Sequence, residues 1–524
     1  MRRCLPVVVL VLCACATPSA PPDVATSSAK KPPALPVALR TALSVTPTAP
    51  PSHPPTLLRG ARVMTAAGDI HERGFVLLQG GHIIAVGAGD GVVPKGGVLV
   101  DVTGKTITPG LIDTHSHMGV YPTPETEGGA DGNEVGAPRT PEVWAEHGFW
   151  PQDASLPRAL SRGITTIQVL PGSANLMGGR STTFKLGQVG ALTSTSARAL
   201  RFPGAPQGLK IACGQNPKRV YGTEKGGRPS TRMGNVASLR EAFAQATEYR
   251  RAWLRYERDL IAWQEKQNAP VVDDKSADTN KNDKGDANSD KDKDKDENDE
   301  EDVADDPPDP PVRDLALDTL KGVLDGTILV HNHCYRADEM NAVLDVADEF
   351  GFSIRSFHHA VEAYKIAPRL AQKHVAVSTW VDWWGFKMEA FDSVRENAAL
   401  VHAAGGIAIV HSDSDVEIRQ LNQEAAKALA AGRRLGLKIS DNDALRWITA
   451  NPAWAIGVDG LTGTIEPGKM ADLVVWNGSP FSTYSKAEQV YVDGVLVVDH
   501  GVARGTDVTI GTAPLNIPVA VEVR

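Results

Sequence analysis

The sequence predicts an α/β fold, and three observations carry that expectation. Short β-branched and apolar runs such as Gly163–Leu170, Gly208–Cys213 and Val375–Trp380 recur along the chain. Helix-like stretches lie between them, the longest being Val236–Gln267, where Trp253, Trp263 and several leucines fall at helical spacing. Several apolar runs end in histidine or aspartate, which places titratable groups where strands give way to loops.

The 524 residues are enough for a large core and more than one domain. With 42% hydrophobic residues, most of the chain is expected to be globular. The net charge of −9 is unevenly spread. Residues 273–310 hold 17 acidic side chains against 6 lysines, which leaves the remainder near neutral and gives no electrostatic reason to expect a nucleic-acid partner. Three of the five cysteines, Cys4, Cys13 and Cys15, lie at the start. Cys213 and Cys334 remain, too few for a disulfide framework but able to form one bridge in an oxidising compartment.

Residues 1–16 read as a secretory signal: Arg2 and Arg3 precede an apolar run from Leu5 to Leu12 that is too short to span a bilayer. Leu12-Cys13-Ala14-Cys15 resembles a bacterial lipobox, which implies export to the periplasm or cell envelope with Cys15 as lipid anchor; plain secretion is the alternative. Residues 17–55, rich in Pro, Ala, Ser and Thr, read as a tether. Residues 271–312 form an acidic insertion expected to be disordered, and its Lys-Asp alternation lacks the glycine and fixed spacing of a calcium loop.

Short strands are expected at both ends of the folded region. Residues 56–105 hold Leu57–Met64, Gly74–Gln79 and His82–Val86, with Gly80-Gly81 suited to a hairpin turn. Residues 461–524 hold Ala471–Trp476 and Val490–Val498, the latter broken by Asp493-Gly494. Together they would build one small β-sandwich, with His71 and His82 on its surface.

The middle, residues 106–460, carries the chemistry. Thr106–His117 begins as a buried strand and ends in His115 and His117, which alternation places on one face. Two neutral imidazoles there make half of a metal site. The Pro109-Gly110-Leu111-Ile112-Asp113 run that precedes them, and Gly468–Leu473 near the other end, resemble signatures of the amidohydrolase superfamily, in its imidazolonepropionase-like and prolidase-like branch. The resemblance implies a (β/α)₈ TIM-like barrel with the site at the strand C-terminal ends. The strands would be Thr106–His117, Gly163–Leu170, Ser181–Leu186, Gly208–Cys213, Asp325–His333, Phe352–His359, Val375–Trp380 and Ile407–Asp413. Pro171–Arg180 would be a glycine-rich loop.

The resemblance also assigns roles. His115, His117, His333, His359 and Asp413 would be metal ligands, with His359 chosen over His358 by its place before Ala360 and the acidic helix start. Lys210 would be carboxylated to N6-carboxylysine and bridge two cations, with Lys185 as the second candidate. Gln215 stands where many relatives have glutamate. Tyr335 and Arg336 would meet the substrate, although Arg336 could equally pair with Asp338. Trp383, Trp384 and Phe386 could wall a pocket or pack as core. His331 is expected inside the barrel, His374 and His402 are structural, and His411 is open.

The implied chemistry is hydrolysis of a C–N bond in an amide, dipeptide or cyclic amide by water activated on one or two divalent cations, zinc first among them, with Asp413 as proton shuttle. The alternatives are a mononuclear imidazolonepropionase-like hydrolase or deaminase, and an inactive surface-binding lipoprotein.

Overall fold

The computed structural model describes residues 53–187, 196–268 and 306–500. The signal, Cys15, nearly all of the tether and most of the acidic insertion lie outside the described residues, as do residues 501–524. The chain divides into a unit of Met1–Val45 and a unit of Thr46–Arg524, and every element below belongs to the second. Among the described residues no helix is long and apolar enough to cross a membrane.

The chain opens with β1 (Thr56–Met64), β2 (Ile70–Gln79), β3 (His82–Ala88), β4 (Val98–Asp101) and β5 (Thr106–Pro109). It continues with β6 (Leu111–Ser116), β7 (Ile164–Val169), β8 (Met177–Lys185), β9 (Gly208–Ala212), β10 (Leu329–Cys334), β11 (Ile354–His359), β12 (Ala376–Thr379) and β13 (Ile407–Val410). It closes with β14 (Leu473–Trp476), β15 (Ala487–Val492) and β16 (Val495–Asp499).

Both ends of the chain feed one eight-stranded sheet, in the order β16-β15-β14-β5-β1-β2-β3 with β4 beside β1. Its core gathers Leu58, Val76, Ile83, Ile107, Leu473 and Val475, all at or near zero exposure. The β15–β16 turn is Asp493-Gly494 with φ of 50° and 75°, the left-handed pair that matches strand twist in a two-residue hairpin.

The second sheet runs β13-β12-β11-β10-β9-β8-β7-β6 and curls into a nearly closed barrel. The seam between β6 and β13 is filled by chain. Ile112 N–H donates to the Ile448 carbonyl (3.0 Å), and Val410 N–H to that of Trp447 (3.1 Å). At the upper end Asp413 N–H reaches the His115 carbonyl (3.1 Å). Buried Asp113 strengthens the seam by accepting from the Ser412 hydroxyl and from His115 N–H (3.0 Å).

Two expectations about the barrel need correction. Thr106–His117 is two strands in two sheets: β5 pairs with β1 and β14, whereas β6 pairs with β7. The break is Gly110, where a Cβ would sit 2.2 Å from Thr165 Oγ1, so only glycine lets the chain step between sheets. The third strand also runs the other way. β8 is antiparallel to both β7 and β9 and begins inside the stretch read as a loop. Parallel strands need a crossover of a dozen or more residues. The interval from Val169 to Met177 is too short for that, so the chain turns back as a hairpin.

Candidate metal centre

Lys210, His115, His117, His333, His359 and Asp413 come from five strands and meet at one end of the barrel. His115 Nε2 and His117 Nε2 lie 3.3 Å apart. Asp413 Oδ1 is 3.5 Å from the first and 3.3 Å from the second, and Asp413 Oδ2 is 3.9 Å from His359 Nδ1. Lys210 Nζ is 3.5 Å from His115 Nε2 and donates to the Pro171 carbonyl at 3.0 Å. His333 and His359 meet edge to face with ring centroids 4.4 Å apart, and the Nδ1 atom of each is buried without a hydrogen-bond partner. Orphaned buried imidazole nitrogens call for a ligand.

Burial governs the electrostatics. Desolvation holds His115, His333 and His359 well below the usual imidazole range, with Lys210 adding to the effect, so the rings stay neutral and able to donate lone pairs. The same burial lowers the Lys210 ammonium to about 8, partly opposed by Asp413. Desolvation raises Asp113 to about 7.

The local backbone explains which histidines enter. On β10, His331 and His333 alternate onto the barrel interior with Asn332 between them. On β11, alternation alone would send His358 and His359 to opposite faces. Positive φ at His359 (68°) and Ala360 (38°) turns the chain, and both rings end inside. Asp413 likewise has φ 56°. Such values in residues other than glycine cost about 1–3 kcal/mol and gather at functional sites.

Behind these lies a second tier, of which the sequence indicated His331 as an interior neighbour but not its links to His358 and Gln168. His115 Nδ1 is 2.9 Å from His358 Nδ1, His358 Nε2 is 3.0 Å from His331 Nδ1, and His331 Nε2 is 3.0 Å from the Gln168 amide. All four side chains are buried. His411 also belongs to the site: it accepts from His359 N–H at 3.3 Å and forms with His115 and His359 a second cluster whose ligand atoms lie within 4.8 Å of one another. For His331 and His411 the i, i+2 spacing to His333 and Asp413 was the available signal.

Other assignments separate. Lys185 is buried against Asp472 (3.0 Å) and Asp493, beside the small sheet and away from the cluster. Because β8 is reversed, its last residue lies at the end of the barrel opposite the site. Arg336 holds Asp338 through two hydrogen bonds of 2.9 and 3.0 Å, with its side chain 43% exposed. Tyr335 is at the site, its ring 5.0 Å from that of His333 and 5.2 Å from that of His359. Trp380 stacks on His359 at 4.1 Å and Trp383 stacks on Trp380 at 4.6 Å, whereas Trp384 turns away to the Phe391 carbonyl. Cys213 and Cys334 form a buried disulfide across the ends of β9 and β10, next to His333.

Comparison with known proteins agrees with this architecture. Residues 389–498 match the model of an amidohydrolase family, Amidohydro_3. An amidohydrolase of Hapsidospora irregularis is 29% identical over 501 residues, covering 89% of this chain but 46% of its own, so the chain spans less than half of that relative. An imidazolonepropionase of Alkaliphilus metalliredigens is 31% identical over 131 residues, 20% of this chain and 29% of that one. The crystal structure of an amidohydrolase from Thermotoga maritima superposes with a TM-score of 0.66 at 30% identity, over 85% of this chain and 100% of that one. A likeness that spans the whole of a solved amidohydrolase, together with the family match over the last barrel strand, shows that the chain belongs to the amidohydrolase superfamily.

Proposed function

We propose that the protein is a metal-dependent hydrolase of C–N bonds, acting on an amide, dipeptide or cyclic amide. One observation supports this above the others. His115 Nε2, His117 Nε2 and an Asp413 oxygen form a triangle with sides of 3.3 to 3.5 Å. Two donors at 2.0–2.1 Å from one tetrahedral cation lie about 3.3 Å apart, so the three atoms already have the spacing of a shared coordination sphere. The donor set, neutral imidazoles with a carboxylate, suits zinc.

His115, His117 and Asp413 would hold one cation, and His333 with His359 a second. Lys210 fits a bridging role. Its lowered pKa leaves neutral amine available near pH 8, which adds to CO₂ as the nitrogen loses a proton and becomes an anionic carbamate. When bound, the cation supplies Lewis acidity that lowers the pKa of water toward ~7 and polarises a carbonyl. Asp413 takes the proton of the attacking water on its carboxylate and returns it to the leaving nitrogen. Trp380 and Trp383 cover the His359 side and limit water entry.

The cluster of His115, His359 and His411 favours a second reading, a mononuclear hydrolase or deaminase with Lys210 unmodified. Metal stoichiometry on purified protein separates the two: two ions per chain supports the bridged site, one supports the second reading, and none overturns both. Asp413→Asn should keep the metal and lose at least about 10³-fold in turnover, because asparagine tolerates positive φ but takes no proton. Near-normal activity in that variant would refute the shuttle.

Export with a lipid on Cys15 completes the proposal, and the buried disulfide supports an oxidising compartment. Labelled palmitate should enter the wild-type chain but not Cys15→Ala; label retained in the variant would exclude the anchor.

A further inference from the structure

The Cys213–Cys334 disulfide stands directly behind a candidate ligand. Cys334 follows His333 at the end of β10, and Cys213 follows the last residue of β9, three positions past Lys210. His333 pairs with Ala212 in the final rung between the two strands. Alternation turns the Cys334 side chain away from the barrel interior that His333 enters. The bridge therefore belongs to the outer layer of the barrel wall, packed with Leu239, Phe243 and Met340. There Cys213 Sγ is 4.0 Å from Glu339 Oε2, on the helix Ala337–Phe350 that follows β10. Cys213 is 6% exposed and Cys334 0%.

Beyond that rung the strands part. Gly214 takes a φ of 80° and leads the chain from β9 into the turn that holds Asn216, while the chain from β10 enters its helix. The parting ends are tied by the Cys213 N–H, which donates to the His333 carbonyl at 2.8 Å, and by the disulfide itself. The His333 ring depends on this tie more than its neighbours do. His117 Nδ1 is fixed by the Leu170 carbonyl at 2.8 Å, and His115 Nδ1 by His358 at 2.9 Å. Such an outer hydrogen bond is what usually orients a metal-bound imidazole. His333 Nδ1 has no hydrogen-bond partner, and its Nε2 reaches only Asn216 Nδ2, at 3.5 Å. With no close hydrogen bond to aim it, the ring is placed by packing and by its backbone, and the adjoining backbone is what the disulfide clamps.

We infer that the Cys213–Cys334 bridge is a positioning element for the His333 half of the metal centre, so that the oxidised chain holds the second cation and the thiol form does not. This rests on the two-cation form of the reading above. Unbonded thiols need more room than a bonded pair, and a close-packed wall supplies it only by displacing the strand ends. A ligand must be held within about 0.5 Å of its working position. The bridge forms by exchange: the two thiols give up two protons and two electrons to a disulfide of an oxidising partner, which leaves as two thiols. Because both sulfurs are buried in the folded chain, that exchange belongs to folding, before the wall closes. A chain folded under oxidising conditions completes its centre, and one folded among reductants stops at the site of His115, His117 and Asp413.

The test counts ions rather than turnover. The same chain is folded under oxidising and under reducing conditions, and alkylation with mass spectrometry confirms which form carries the bridge. Zinc is then titrated into each metal-free form by calorimetry. The oxidised form should bind two ions. The thiol form should bind the first with unchanged affinity and the second at least about tenfold more weakly. The first site is thus the control for a general loosening of the fold. Cys213→Ala with Cys334→Ala should behave as the thiol form does, and His333→Ala should lose the same ion with the bridge intact. If only one of the thiol form and the double variant folds, its titration decides. Two ions bound as tightly without the bridge, both ions weakened alike, or failure of both bridgeless forms to fold overturns the inference and leaves the hydrolase reading in place. A single ion in the oxidised form also overturns it and favours the mononuclear reading. No ion in either form overturns the inference and the hydrolase reading together.

Discussion

At the scale of single residues, the buried chain from His115 through His358 and His331 to Gln168 has a direction. A neutral imidazole has one donor and one acceptor. For His115 Nε2 to offer its lone pair to a cation, its Nδ1–H must donate to His358, His358 to His331, and His331 Nε2–H to Gln168. The Gln168 amide must then turn its oxygen toward His331, an oxygen that otherwise has no hydrogen-bond partner. Gln168→Leu leaves a buried N–H unpaired at the end of the chain, a cost of about 1–3 kcal/mol. It should weaken zinc binding about tenfold in a competition titration against a chelator. Affinity equal to wild type would mean that the chain does not set the His115 tautomer.

At the scale of elements, reversal of β8 decides what Lys185 is for. On a parallel third strand the last residue would point toward the site. Antiparallel, it lies at the far end, where it pairs with both Asp472 and Asp493 and ties the barrel to the small sheet. Desolvation raises the Asp493 carboxyl, with Asp472 adding repulsion and Lys185 opposing it. Lys185→Met therefore strands two acids in a nearly dry environment. It should lower stability by about 3–5 kcal/mol, seen as a fall in the urea midpoint, with metal content per folded chain unchanged. Loss of metal from a variant of normal stability would return Lys185 to the site.

At the scale of the molecule, six imidazoles, those of His115, His331, His333, His358, His359 and His411, are held neutral by burial. Each has a folded-state pKa below its unfolded value. Its contribution to stability is complete above pH ~6.5 and is lost as the unfolded chain takes up protons below that. Six rings together lose up to about 8 kcal/mol per pH unit, comparable with the whole stability of a domain. The metal-free protein should keep a level urea midpoint from about pH 7 to 8 and unfold without denaturant near pH 5. A midpoint unchanged down to pH 5 would contradict the burial of these rings as neutral groups.

Most strand positions, and the types of residue at their ends, were readable in the sequence because side chains on a strand alternate. His115 with His117, and His331 with His333, share faces for that local reason. The pair His358-His359 was not readable in the same way. That both rings enter depends on the positive φ at His359 and Ala360, which is imposed where β11 leaves the sheet. Local sequence therefore determined which candidate donors stand at the strand ends, imidazoles, one amine and one carboxylate, and roughly where strands end; burial in the folded barrel is what keeps the imidazoles neutral. Tertiary structure decided the direction of β8, the step between sheets at Gly110 and the Cys213–Cys334 bridge. Each of these depends on contacts between segments far apart along the chain, whose partners no local pattern can name.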